Sequence, residues 1–146
     1  MNVQLRCIKG TDPKAREVID WLLEIYNREP HFEAGTFTMN TPETVIIIYF
    51  EDVGGLILDF TSKVETPSNY FSVCHFLCVE DEHRGKGVAR ELVRLAKDFS
   101  EGNGYPFIGA VIDDGYQRDL WEKLGYTTQT NFGFSIVMID REPSEL

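Results

Sequence analysis

The chain has 146 residues, 42% of them apolar and 26% charged, enough to bury the core of one domain over residues 1–146 without disulfides or metal. Its 14 basic residues against 24 acidic ones, a net charge of −10, exclude nucleic acid as an expected partner and favour a cationic small molecule or basic peptide. The longest apolar run, Val45 to Phe50, is too short to span a bilayer, and Arg6 falls where an export signal would need its apolar centre. Three cysteines, an odd number, fit reduced thiols, so a cytoplasmic location with no membrane partner is expected.

Val3 to Ile8 alternates apolar and polar residues, as a strand with one buried face does. Asp12-Pro13 then reads as a helix start, and Ala15, Val18, Ile19, Leu22, Leu23 and Tyr26 recur at helical spacing. His31 to Pro42 has no period and reads as loop. Thr44 to Phe50 and Leu56 to Phe60 form a hairpin around Glu51 to Gly55, and Thr61 to Asn69 reads as a polar loop. Tyr70 to Val79 is apolar on both parities, which suits a central strand covered on both faces. After an acidic turn, Val88, Ala89, Leu92, Val93, Ala96 and Phe99 form a helical stripe that Gly102-Asn103-Gly104 ends. A buried strand from Pro106 to Ile112, a short helix through Leu120 and Trp121 to Gly125, and two strands around Asn131 complete an α/β order.

The segment Arg84-Gly85-Lys86-Gly87-Val88-Ala89 joins the central strand to the long helix. Glycines in such a turn let backbone N–H groups converge, and the helix start adds partial positive charge, which suits an anion such as a pyrophosphate. A Walker loop needs Ser or Thr where Val88 stands, and a dinucleotide fingerprint needs a small residue where Arg90 stands, so both are excluded. The segment resembles the acyl-CoA loop of the Gcn5-related N-acetyltransferases, Arg or Gln, two residues, Gly, one residue, Gly or Ala. Leu120-Trp121-Glu122-Lys123-Leu124-Gly125-Tyr126 resembles that family's second signature. The resemblance implies an acyl-CoA N-acyltransferase (GNAT) fold with a mixed, mostly antiparallel sheet. It also implies transfer of an acetyl group from acetyl-CoA to a primary amine of a small molecule or peptide. The cofactor contacts it carries over are Leu77, Val79, Arg84, Gly85, Lys86, Gly87, Val88 and Ala89, with Asp114 and Trp121 where the family commonly has asparagine and tyrosine. Dimers are common in the family, and nothing in the sequence specifies one.

Trp121 is a hydrogen-bond donor but no useful acid, so Tyr116, Tyr126 or solvent has to protonate the leaving thiolate. These departures also support an alternative, an acyl-CoA-binding module that has lost catalysis. His75 is the expected general base, because an amine arrives as ammonium and a group titrating near neutrality suits its deprotonation. The resemblance supports it: serotonin-type acetyltransferases carry a histidine at the matching strand position. Strict alternation would put His75 on one face with Val73, Leu77 and Val79, and Cys74 with Cys78 on the other. The three cannot then converge on a metal, and no metal site is expected. The competing reading is a packed His75 with satisfied ring nitrogens, and Glu80 and Asp81 then stand in as bases. His31 and His83 read as solvated loop residues.

Overall fold

A computed structural model describes residues 4–28, 35–65, 70–104, 107–112, 115–126, 128–132 and 135–139, with side chains omitted at 61–65, 70, 71, 107, 111, 112, 115, 116 and from 128 on. The elements run β1 (Leu5–Lys9), α1 (Ala15–Tyr26), β2 (Val45–Phe50), β3 (Gly54–Glu65), β4 (Tyr70–Val79), α2 (Val88–Gly102), β5 (Phe107–Ile112), α3 (Gly115–Lys123), β6 (Thr128–Phe132) and β7 (Ser135–Ile139). The strands form one seven-stranded sheet in the order β1-β2-β3-β4-β5-β7-β6. Among the described residues, only the β4–β5 pair is parallel. This is the mixed, mostly antiparallel α/β architecture expected. Among the described residues, no helix is long and apolar enough to cross a membrane.

Local chemistry accounts for most boundaries. Asp12, three residues ahead of α1, turns the chain into the helix by accepting from the amide of the N-cap residue Lys14 at 2.8 Å. The stripe Ala15, Val18, Ile19, Leu22, Ile25 and Tyr26 then packs on Val45, Ile47, Tyr49 and Ile57 on one face of the sheet. On the other face α2 lays Val88, Leu92, Val93 and Ala96 against Ile46, Ile48, Leu56, Leu58 and Cys74. Burying Leu92, which is fully covered, contributes about 1.5–3 kcal/mol. Deep in the sheet the hydroxyls of Ser72 and Ser100 hydrogen-bond at 2.9 Å and tie β4 to α2.

Two boundaries differ from the sequence expectation. The segment Thr61–Glu65 continues β3 instead of forming a loop, and pairs across a register shift with Tyr70 and Phe71. Asn131 lies inside β6, so the reversal into β7 falls beyond Phe132.

The face assignment on β4 also changes. Cys78 pairs with Gly55 and His75 with Ile57, so Phe76 and Leu77 together oppose Leu56. This is a β-bulge, with Phe76 at a φ of +53°. A bulky side chain in that region is strained by on the order of 1–3 kcal/mol. The extra residue inverts the alternation. Cys74 and Leu77 belong to the α2 face, and Cys78 and Phe76 to the α1 face. His75 therefore does not share a face with Leu77 and Val79, and Cys74 and Cys78 do not share one with each other.

Candidate functional site

The parallel register between β4 and β5 ends at Cys74 and Ala110. Beyond it β4 runs on to Val79 without β5 as a neighbour, and the gap opens a cavity of about 300 Å3. Leu77, Cys78 and Val79 form its floor, Ile25 and Tyr26 of α1 close one side, and Gln117, Leu120 and Leu124 close another. Arg84, Gly85, Gly87, Val88 and Ala89 form its mouth.

The mouth is shaped by a short 3-10 turn, Asp81–His83, that reverses the chain after β4. Arg84 pins this turn, since its Nε donates to the Val79 carbonyl at 3.1 Å and its Nη2 lies 3.2 Å from Asp81. Gly85 and Gly87 follow at φ values of +75° and +81°, and Gly87 is the N-cap of α2. A Cβ built on either glycine meets no atom within 4 Å. The two glycines are thus required by backbone conformation, and they leave open space in front of the helix. The first amides of α2 have no intrahelical acceptor there, and the helix dipole favours an anion. The arrangement fits a pyrophosphate at the mouth and a thin, mostly apolar arm along β4.

The structure brings Leu77, Val79, Arg84, Gly85, Gly87, Val88 and Ala89 together at this cavity. Lys86 is exposed and is not part of the wall. Trp121 is also away from it: its ring is 1% exposed, edge-on to Tyr126 with centroids 4.8 Å apart. Tyr126 is equally buried and faces a separate groove beside Arg90, Arg94 and Lys97. Asp114 and the Tyr116 side chain lie outside the described residues. His83, expected from the sequence to be a solvated loop residue, lines the main cavity, and its Nδ1 is buried. No local pattern signals this, because the 3-10 turn alone folds it inward.

His75 lies outside the main cavity, on the wall of a second one of about 230 Å3. The segment 35–41 covers this second cavity. Asn27 holds it by a reciprocal pair of hydrogen bonds, donating to the Gly35 carbonyl at 3.2 Å and accepting from its amide at 2.7 Å. Arg16 also donates to the Phe37 carbonyl at 2.8 Å. Gly35 sits so close to β4 that a Cβ there would fall 2.6 Å from the Tyr26 ring and 2.9 Å from Phe76. The His75 ring packs 5.4 Å from Phe37 and 6.1 Å from Phe76, and its Nε2 is buried with no hydrogen-bond partner among the described residues. Burial lowers its pKa from the ordinary 6.5, with partial opposition from Asp59. The imidazole is therefore neutral at pH 7, as a base must be.

Two other groups near β4 are chemically constrained. Burial pushes the Cys78 thiol up to about 12, so it stays protonated and is no nucleophile. Glu80 resists the upward push of burial because Arg28 at 2.7 Å and the Trp21 indole at 3.0 Å hold its carboxyl below 4.5. A carboxylate so engaged is a poor base and a good tie between α1 and the end of β4. Glu80→Ala is expected to lower the melting temperature by about 3–6 °C at pH 7, for roughly 1–2 kcal/mol of lost hydrogen bonding. Because the folded pKa is depressed, the contribution is present above pH 4.5 and fades as pH falls below it. The gap between wild type and variant should narrow there, and a gap that widened in acid would contradict the assignment.

The model of the acetyltransferase (GNAT) family matches residues 15–126. No curated protein matches the chain. Among solved structures, the PaiA N-acetyltransferase of Thermoplasma acidophilum in complex with coenzyme A is similar at 11% identity and a TM-score of 0.62, over 97% of this chain and 100% of that one. An aminoglycoside acetyltransferase from an uncultured soil metagenomic sample, in complex with sisomicin, is 17% identical with a TM-score of 0.59, over 89% and 91%. A structure of the NatC complex bound to Gag peptide and CoA gives 14% identity and a TM-score of 0.60, over 95% and 96%. At these identities the likeness is one of fold.

Proposed function

The chain belongs to the acetyltransferase (GNAT) family, and from that premise we propose that it transfers an acetyl group from acetyl-CoA to the primary amine of a small molecule or peptide. The observation that carries this is the placement of two cavities on one strand. The main one touches Leu77, the second touches His75, and only Phe76 lies between them. Along a strand that separation is about 7 Å, and because His75 and Leu77 face opposite sides of the sheet, this reading requires donor and acceptor to approach each other past the bulge at Phe76.

In this reading the amides of Gly85 to Ala89 and the start of α2 hold the pyrophosphate of acetyl-CoA, and the free edge of Leu77 and Val79 lines its arm. Bound acetyl-CoA supplies a thioester carbonyl for attack. His75 Nε2 takes one ammonium proton, directly or through a water, which frees the nitrogen lone pair; as the new C–N bond forms and the C–S bond breaks, the nitrogen releases a second proton to solvent. The thiolate leaves with a proton from solvent or from Tyr116. Tyr126, buried against Trp121, is the weaker candidate for that role.

Protonated Cys78 makes an acyl-enzyme an unsuitable route and favours direct transfer in a ternary complex. Initial rates of thiol release with acetyl-CoA and a panel of amines should give intersecting reciprocal plots. Cys78→Ala should retain activity within about fivefold of wild type, as expected for a group outside the chemistry. Parallel plots, with activity abolished in a folded Cys78→Ala protein, would replace direct transfer by a covalent route. The second reading, a binding module without turnover, is favoured by Trp121 filling the core where the family commonly has a tyrosine. It requires thermal stabilisation by acetyl-CoA with no thiol release from any amine.

A further inference from the structure

The wall between the two cavities is one side chain thick. Tyr26 lines the main cavity, and Phe37 and His75 line the second. Phe76 lines neither, yet its ring centroid lies 5.0 Å from that of Tyr26, 6.2 Å from that of Phe37 and 6.1 Å from that of His75. These are contact separations for aromatic rings. The pairs with Tyr26 and Phe37 meet edge to face, at 89° and 80°. A Cβ on Gly35 would collide with Tyr26 and Phe76 alike, so bare backbone lies over the seam between these two rings. Phe76 holds its place at a φ of +53°, a backbone region that costs a bulky residue energy and persists where the surroundings impose it.

We propose that the Phe76 ring sets the length of acyl group the protein takes, by closing the inner end of the donor cavity. The inference deepens the N-acetyltransferase reading and rests on it for the assignment of the main cavity to acyl-CoA. With the pyrophosphate at the glycine turn and the arm along Val79 and Leu77, the acyl group comes to the end of the cavity farthest from the mouth, beside Phe76. An acetyl group ends there. A longer chain has to continue into the space the ring occupies, and rings in close contact admit extra methylenes only by displacing one another. Beyond the ring lies the second cavity of about 230 Å3. An engineered cavity of about 150 Å3 accommodates benzene, so removal of the ring opens room for a six-carbon acyl chain. The same ring keeps the tail of one substrate out of the space left for the other.

The test titrates CoA, acetyl-CoA and hexanoyl-CoA calorimetrically into the full chain. Wild type is expected to bind acetyl-CoA at least tenfold more tightly than hexanoyl-CoA. Phe76→Gly removes the ring and suits the left-handed backbone, so the fold is expected to survive. In that variant hexanoyl-CoA should bind at least as tightly as acetyl-CoA, since each methylene buried adds about fourfold. Adding Met39→Trp refills the second cavity, whose wall includes Met39, and should restore the acetyl preference at least tenfold. Equal affinity for both esters in wild type overturns the proposal without any variant. An acetyl preference that survives in folded Phe76→Gly overturns it too, as does a hexanoyl gain that Met39→Trp leaves untouched. Should Phe76→Gly not fold, Phe76→Leu keeps apolar bulk with a shorter reach. Butanoyl-CoA should then gain at least threefold on acetyl-CoA, and no gain overturns the ring as the limit. The two levels of inference separate cleanly. A chain that binds none of the CoA compounds overturns the donor site and the proposal with it. One that binds CoA and both esters alike overturns the limit at Phe76 alone.

Discussion

Gly87→Glu is expected to weaken acetyl-CoA binding at least tenfold, about 1.4 kcal/mol, while the fold survives. Gly87 sits at a φ of +81°, where any residue with a Cβ is strained by about 1–2 kcal/mol. A Cβ built there meets no protein atom within 4 Å, which leaves the side chain room to extend into the open space before α2. A carboxylate there occupies the same amides and the same positive helix end that a pyrophosphate would use. Gly87→Ala carries the backbone strain without the charge and serves as the control. Calorimetry should find the Ala variant between wild type and the Glu variant. Equal affinities for Ala and Glu, with both proteins folded, would remove the loop from the binding site.

His75→Ala is expected to lower kcat/KM by about 10²-fold with the best amine found. The pH profile distinguishes a catalytic loss from a packing defect. A base works only when neutral, so the wild-type rate should fall as pH drops through the pKa of His75. Burial lowers that pKa, and the partial opposition from Asp59 does not restore it, so the acid limb should lie below pH 6.5. In His75→Ala the limb should vanish, with the remaining rate set by water and the free amine. A variant that slows and keeps the limb would show that His75 only packs Phe37 and Phe76 in place. A variant with wild-type rate and profile would end its candidacy.

Much of this architecture is legible in the residues. Tyr70–Val79 reads as a covered central strand because both parities are apolar, and the structure returns those bounds. The glycine turn is legible because Gly85 and Gly87 sit between a strand and an amphipathic helix, a context that few functions require. The bulge is not. Left-handed backbone is usually announced by glycine or asparagine, and here a phenylalanine adopts it under tertiary constraint. With the bulge unseen, His75 is assigned to the wrong neighbours and the second cavity cannot be anticipated. The segment 35–41 has no period, and its seat on β4 depends on Arg16 in the first turn of α1 and Asn27 just beyond its last. Asp59 leaves a trace, a carboxylate at the buried parity of Ile57, in the stretch Leu56–Phe60 that is otherwise apolar on both faces. Trp121 and Tyr126 stand at positions whose resemblance to the family suggests chemistry, and the structure buries both against each other in the core.

The extra residue at Phe76 makes β4 two strands spliced out of frame. Upstream of the splice, Val73 and His75 serve the side of the sheet covered by α1 and the segment 35–41. Downstream, Leu77 and Val79 serve the side covered by α2. In a strand of uniform pleat, a one-residue shift exchanges every inside position with every outside one. Here the two halves already hold opposite phases, so restoring a continuous pleat across the splice would turn Leu77 to face α1 and Cys78 to face α2. The main cavity would then present a thiol where it now presents an aliphatic side chain. A single residue of backbone, carrying no functional group of its own, decides which side of the sheet each side chain of β4 serves.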